Sequence, residues 1–392
     1  MTSRAGCRGA RHPSASAGAA SVSPRGAARA VSLPWWSPGT REWAILAMRS
    51  AERAPTSPTR VGCRGASAAC GEPASPTRKS DHAWLMVDRP GTDPLPRGAA
   101  IRTREHAAFD TTRARLRARR VQHPFNGVST LGLDLDSIVD ACRAYEPLLR
   151  PGEAFSHATA ALLLGAPMPR SHGSVRPLHV VSPGVTRSRT AGVVGHRSSD
   201  PVAITIRLGL PVVAPAATWM HLAAVLRPED LTAVGDFLVT GALHGRGREA
   251  PLATLDELAH ATEASAGCRG ARAARWALEH IRVGPGSRTE TLLRLLIVAA
   301  GLPEPVVGPP VLVVGGSLTL HPDLAYPDLR IAIEYEGDDH RDAGRWERDI
   351  ERREMFEDAG WRVIRVTRRA LFDEPDALIA RIRRARRARS GA

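Results

Sequence analysis

Three carboxylates in the last quarter of the 392-residue chain carry the first chemical suggestion. Glu334 and Glu336 stand two apart in the run IAIEYE, so a strand of period two puts both on one face. Asp323 precedes them across a turn at Pro327 and Asp328, and in a hairpin it falls opposite residue 332 or 334. Like charges this close repel and raise one another's pKa. A divalent cation removes that conflict, and an all-oxygen donor set suits Mg²⁺ or Mn²⁺. Such an ion polarises a phosphoryl oxygen and acidifies a bound water. The bland alternative is an exposed hairpin face whose acids are only hydrated.

The surrounding sequence supplies elements to position these groups. SRTETLLRLLIVAAGLPEP reads as a helix capped by Ser287 or Thr289. Glu290 stands at the third position after Ser287, as in a capping box, and Gly301 and Pro303 stop the helix. Strands are expected over 311–314, 318–326 and 330–336. Ile331, Ile333 and Tyr335 would share one face, with Ala332, Glu334 and Glu336 on the other. A helix through WERDIERREMFEDAG follows, in which Asp349 can pair with Arg352 or Arg353. The chain closes on an arginine-rich helix over about 376–389, where Arg383 and Arg384 could meet nucleic-acid phosphates or simply solvent.

From Ser287 to Ile382 this order of residues resembles the very-short-patch-repair (Vsr)-like endonuclease domains, a branch of the PD-(D/E)xK restriction-endonuclease-like superfamily. The matching elements are Glu290, Asp323, Glu334, Glu336, Gly337 and His340. They continue with Glu347, Arg348 and Asp349, then Gly360, Trp361 and Arg365. The resemblance implies an αβββαβ core and a metal-dependent DNA endonuclease or nickase. Asp323 and Glu334 would hold Mg²⁺ or Mn²⁺, with Glu290 helping directly or through water. Asp323, Glu334, Glu336 and His340 would form the catalytic set. One departure from the wider superfamily is that Glu336 stands where its lysine would be; no lysine follows Lys79. The base then falls to His340, Glu336 or a hydroxide on the metal.

Upstream of 284 the signals are weaker. Residues 1–95, rich in Ala, Gly, Ser, Pro and Arg without periodicity, are expected to be a disordered tail, or to precede a start at Met48 or Met86. Residues 96–130 read as a winged-helix-like segment, in which Arg115 and Arg119 of a basic helix would face DNA phosphate. Residues 131–283 read as a mixed α+β region. Ser156, His157, Ala160, Ala161, Gly165, Thr218 and Leu222 resemble a loose motif of the AbiEi-like antitoxin proteins. His157, on an apolar helix, reads first as a core histidine. That resemblance supplies the alternative function, a non-catalytic DNA-binding regulator. The fold class expected is α/β, with the restriction-endonuclease-like core preceded by the winged-helix-like segment, the mixed α+β domain and the disordered tail.

Bulk properties add little. The 54 Lys plus Arg against 40 Asp plus Glu give a formal +14, but the excess sits in residues 1–80 and in the final arginine run. The middle is near neutral, so charge alone does not argue for nucleic acid. Five scattered cysteines without a CxxC pair argue against a zinc–thiolate site or a disulfide framework. With no apolar leader or membrane-spanning run found, a cytoplasmic protein with DNA as partner and no membrane partner is expected.

Overall fold

The computed structural model describes residues 93–184, 186–199, 201–244, 247–336 and 343–391. The expected tail therefore lies almost wholly outside the described residues. Helices and strands are mixed throughout, in five sheets.

The first described unit departs from expectation. Strand β1 (Ala100–Arg102) pairs antiparallel with β2 (Val128–Thr130). Between them run two 3-10 turns, Thr103–Phe109 and Arg115–Arg117, and no described α-helix falls within 96–130. The helix–turn–helix expected there is not formed. A helix over RARLRARR would have only Leu116 to bury, and helical stability in proteins rests on an apolar face finding a partner. Leu116 packs instead with Leu95, Ile101 and Leu131.

The central region is built on a mixed five-stranded sheet, in the order β5-β4-β3-β7-β6. Its strands are β3 (Ala154–Phe155), β4 (Leu178–Pro183), β5 (Val193–Ser198), β6 (Ile204–Arg207) and β7 (Leu210–Val213). β4 and β5 run parallel; β3 and β4, and β6 and β7, run antiparallel. Leu178, Val180, Phe155 and Val212 point into a core shared with α1 (Ile138–Tyr145) and α2 (His157–Leu164). Gly165 ends α2 at φ 85°, the left-handed conformation a helix C-terminus often requires. Helices α3 (Pro215–Ala223), α4 (Pro228–Thr240), α5 (Leu255–Ala264) and α6 (Ala271–His280) form a second core around Trp219, Leu231, Val234 and Leu258.

The short β8 (Leu243–His244) and β9 (Gly247–Arg248) lead towards α7 (Arg288–Ala299) and the last unit. Its sheet has the order β10-β13-β14-β15, from β10 (Val306–Val307), β13 (Leu324–Tyr326), β14 (Ile331–Glu336) and β15 (Arg362–Thr367). The first three are antiparallel; β15 returns parallel to β14 after the crossover helix α8 (Ala343–Asp358). The short α9 (Arg368–Phe372) and α10 (Pro375–Ser390) complete the unit. Leu292, Leu296, Ile331, Ile333, Ile364, Leu378 and Ile382 fill its core.

The expected strand over 318–326 divides in two. β12 (Leu318–Leu320) pairs with β11 (Val311–Val313) in a separate ribbon, and β13 joins the main sheet. Pro322, which has no N–H for a ladder, stands at the break.

α7 is tied to α4 by buried charge. Arg294 donates to Asp236 at 3.1 Å, to Glu304 at 2.8 Å and to the His280 carbonyl at 2.7 Å. Asp236 also accepts from Thr291 Oγ1 and from the Arg282 backbone N–H. Burial pushes Asp236 up to about 6 against the pull of Arg294. Arg288 of α7 adds a contact at 2.7 Å to Asp230 of α4.

Candidate functional site

The β13–β14 hairpin, α7 and α8 bring acids to one place. Leu324 pairs with Ile333, so the residue before β13, Asp323, comes level with Glu334. Asp323 Oδ2 accepts the Tyr335 backbone N–H at 2.7 Å, which fixes the carboxylate against β14. The Asp323 pKa is raised to about 7, chiefly by burial and then by repulsion from Glu290 and Glu334, with the Tyr335 N–H and Arg352 acting the other way. Glu290 is raised as well, chiefly by burial. Glu290, Asp323 and Glu334 thus lie within electrostatic reach of one another, from three elements.

Glu290 is placed by the start of α7. Ser287 Oγ accepts the Glu290 N–H at 3.2 Å, the expected cap. The reciprocal half of the capping box is absent: the Glu290 carboxylate accepts from the Gly286 N–H at 2.7 Å.

Asp323 and Glu334, though not Glu290, line a cavity of about 280 Å³ together with Glu336, Asp349 and several arginines. Arg352 of α8 donates from Nε to Glu334 Oε1 at 3.0 Å and from Nη2 to the His321 carbonyl at 2.7 Å, over the Phe356 ring. Arg365 of β15 pairs with Glu336. Arg352 therefore serves Glu334 across the cleft, and Arg353 takes Glu357 on its own helix at 2.8 Å. The sequence named Arg352 and Arg365 without placing them against the acids. Parallel pairing of β14 with β15, which sets Arg365 level with Glu334, was the missing information.

The donor set fits a hard divalent cation in type: carboxylate oxygens, one with its pKa raised first by burial and then by repulsion, both of which a cation would offset. It is not closed around one. The three acids do not all offer oxygens within 4.8 Å of one another, and Arg352 occupies Glu334. Among the described residues, a group of three ligand atoms that compact is formed by His157, His179 and His196 alone. His340 lies outside the described residues, as do Gly337 and the remaining positions of 337–342.

The residues expected at nucleic acid are dispersed. Arg115 sits in a 3-10 turn and donates to the Asp93 carbonyl at 3.2 Å, and Arg119 is exposed just after it. Neither is on a recognition helix, which corrects the expectation for this segment. Arg383 and Arg384 are exposed on α10, and Arg383 donates to the Ala300 carbonyl at the end of α7. Of the AbiEi-like positions, Ser156 and Thr218 are buried, and Thr218 Oγ1 donates to the Val213 carbonyl at 2.8 Å. No described helix is long and apolar enough to cross a membrane.

The chain is similar to two uncharacterised proteins of Mycobacterium tuberculosis, from the strains CDC 1551 / Oshkosh and ATCC 25618 / H37Rv. Each is 29% identical over 208 residues, which is 53% of this chain and 73% of the relative. No protein-family pattern matches the chain, and no solved structure does.

Proposed function

We propose that the C-terminal unit is a metal-dependent endonuclease or nickase acting on DNA. The observation that supports this reading is the meeting of Asp323, Glu334 and Glu336 in one cleft, with Glu290 close enough to act on Asp323, whose pKa is raised to about 7. Like charges at a half-buried hairpin end raise one another's pKa, a cost that a bound cation would relieve.

Asp323 and Glu334 would hold Mg²⁺ or Mn²⁺, with Glu290 beside them. Such an ion supplies polarisation of a phosphoryl oxygen and a more acidic water. The chain's own residues supply the rest. Arg352 and Arg365 line the cleft, and their guanidinium groups suit non-bridging phosphate oxygens once released from Glu334 and Glu336. Glu336, freed in the same exchange, can orient water or accept its proton. The Tyr335 N–H keeps Asp323 facing the cleft throughout. The arginines of α10 offer a further phosphate-binding surface.

The alternative, a non-catalytic DNA-binding regulator, would have to read DNA without a recognition helix in residues 96–130, where the only helical turns among the described residues are 3-10 turns. Plasmid relaxation and linearisation with Mg²⁺ or Mn²⁺ test the nuclease reading. Wild-type activity that is lost in Asp323→Ala and Glu334→Gln supports it; equal activity in all three proteins overturns it.

A further inference from the structure

Four histidines far apart in the sequence meet on one side of the central sheet. His157 opens α2, His179 lies in β4, His196 in β5 and His221 in α3. In the β4–β5 pairing His179 stands opposite Val194, and His196 opposite Val181. The two histidines therefore share a face. Val181 on that face packs against Ala217, one helical turn before His221. α2 lies beside both β4 and α3, which brings His157 into the group.

The rings are close. His157 lies 3.6 Å from His196, 4.6 Å from His221 and 5.7 Å from His179, centroid to centroid. His179 Nδ1 and His196 Nε2 are 2.9 Å apart. His157, His179 and His196 each offer a nitrogen, all within 4.8 Å of one another. The Nδ1 of His221 is buried and has no hydrogen-bond partner.

Among the described residues, no acid is found to favour a proton on these rings. The groups that act on them are the histidines themselves, His172 and Arg187, and all oppose protonation. Burial is the larger cause, holding His157 down to about 2 and His196 to about 4. Burial thus disfavours a proton on each ring, and the geometry leaves three of their nitrogens facing one another as available ligand atoms. The packing of the four rings leaves one buried nitrogen, His221 Nδ1, without a partner. His157 Nδ1 lies 3.1 Å from the Oγ of the fully buried Ser156. A hydrogen bond there leaves Nε2 as the ligand atom, as second-shell partners of metal-bound histidines do. His157 also has φ 49°, in the left-handed region that costs a side-chain-bearing residue energy.

We infer that His157, His179 and His196 bind a borderline transition-metal ion of the Zn²⁺ class, with His221 as the fourth ligand. Contraction of the group to the ~3.3 Å nitrogen spacing of a tetrahedral site, with metal–nitrogen bonds of about 2.0–2.1 Å, requires rotation of the rings out of their stack. The ion would lock α2, β4, β5 and α3 together. It is separate from the carboxylate cleft in place and in donor type, nitrogen rather than oxygen.

The test uses the full chain, stripped with a chelator and titrated with Zn²⁺ and with Co²⁺ in competition with a chromophoric chelator. One equivalent per chain is expected, with the visible absorption of Co²⁺ in a nitrogen set and no thiolate charge-transfer band. His179→Ala and His196→Ala should each weaken uptake by about 100-fold or more. Ser156→Ala should weaken it by roughly 10–100-fold. Zn²⁺ should raise the thermal midpoint of wild type but not of His179→Ala. His179→Gln and His196→Gln, with circular dichroism as the folding check, serve if the alanine variants do not fold. Asp323→Ala should leave uptake intact, so failure here is distinct from failure of the nuclease reading. No uptake by stripped wild type, uptake unchanged in folded histidine variants, or a thiolate band would each overturn the inference.

Discussion

The acidic cleft and the histidine cluster are both gatherings of titratable groups, but they are made in different ways. The cleft draws Asp323, Glu334 and Glu336 from one hairpin and its approach, with Glu290 of α7 acting on Asp323 from beside it. The cluster draws one residue from each of four elements across the central region. In the cleft, burial and repulsion raise a carboxyl pKa, and arginines partly relieve the acids. In the cluster, burial lowers imidazole pKa values, and no acid relieves them. A conflict of charge is met by a hard cation; a set of unsatisfied lone pairs is met by a softer one.

Whether the two regions act as one body is tested by the largest expected effect. Asp236→Ala leaves Arg294 buried with only Glu304 as acidic partner and should cost about 3–5 kcal/mol in urea unfolding. A single shifted transition means that α4 and α7 couple the regions; two transitions would separate them. Next in size, Asp323→Ala should lower Mg²⁺-dependent cleavage at least about 100-fold. Single-turnover assays in excess enzyme measure this, and a change of only a few fold would remove Asp323 from the reacting centre.

Acidity separates the sites by about tenfold. Asp323 titrates near 7, so Mn²⁺ affinity at the cleft should fall roughly tenfold from about pH 8 to about pH 6. The already neutral histidines should keep their Zn²⁺ affinity nearly constant over that range. Stability of the metal-free chain divides the same way. Asp323 is raised above its ordinary 3.8, so its contribution is full below about pH 4 and is lost as pH rises through 7. His196 and His157 are depressed below 6.5, so theirs is present above that value and lost as pH falls through about 4 and about 2. Calorimetry across pH, on wild type and on Asp323→Asn, resolves the two; a variant whose profile keeps the wild-type loss near neutrality would refute the assignment to Asp323. The smallest effect concerns α10. Arg383→Ala and Arg384→Ala should each weaken DNA binding by a few fold and lower its logarithmic salt slope by about one. An unchanged slope would leave these arginines to solvent.

Much of the helical structure was legible. Ser287 before Glu290, Pro215 and Pro228 at helix starts, and the Gly270 break all act within a few residues, where local backbone chemistry decides. The β6–β7 hairpin was not. Its two-residue turn, Leu208–Gly209, has φ 53° and 82°, but carries none of the Asn-Gly or Asp-Gly chemistry that announces such turns. The basic segment over 113–120 misled because arginine is a good helix former, while the absence of an apolar face to bury is a tertiary matter.

By itself the sequence determined the acidic hairpin. Strand period and turn position are local, and together they put Asp323, Glu334 and Glu336 on neighbouring strands. Only the tertiary structure decided what faces them, because Arg352 and Arg365 arrive on a crossover helix and a parallel strand. The same holds more strongly for the histidines. At positions 157, 179, 196 and 221 no spacing repeats and no motif joins them. Their meeting depends on strand register and on where two helices pack against the sheet, relations that exist only once the chain has folded.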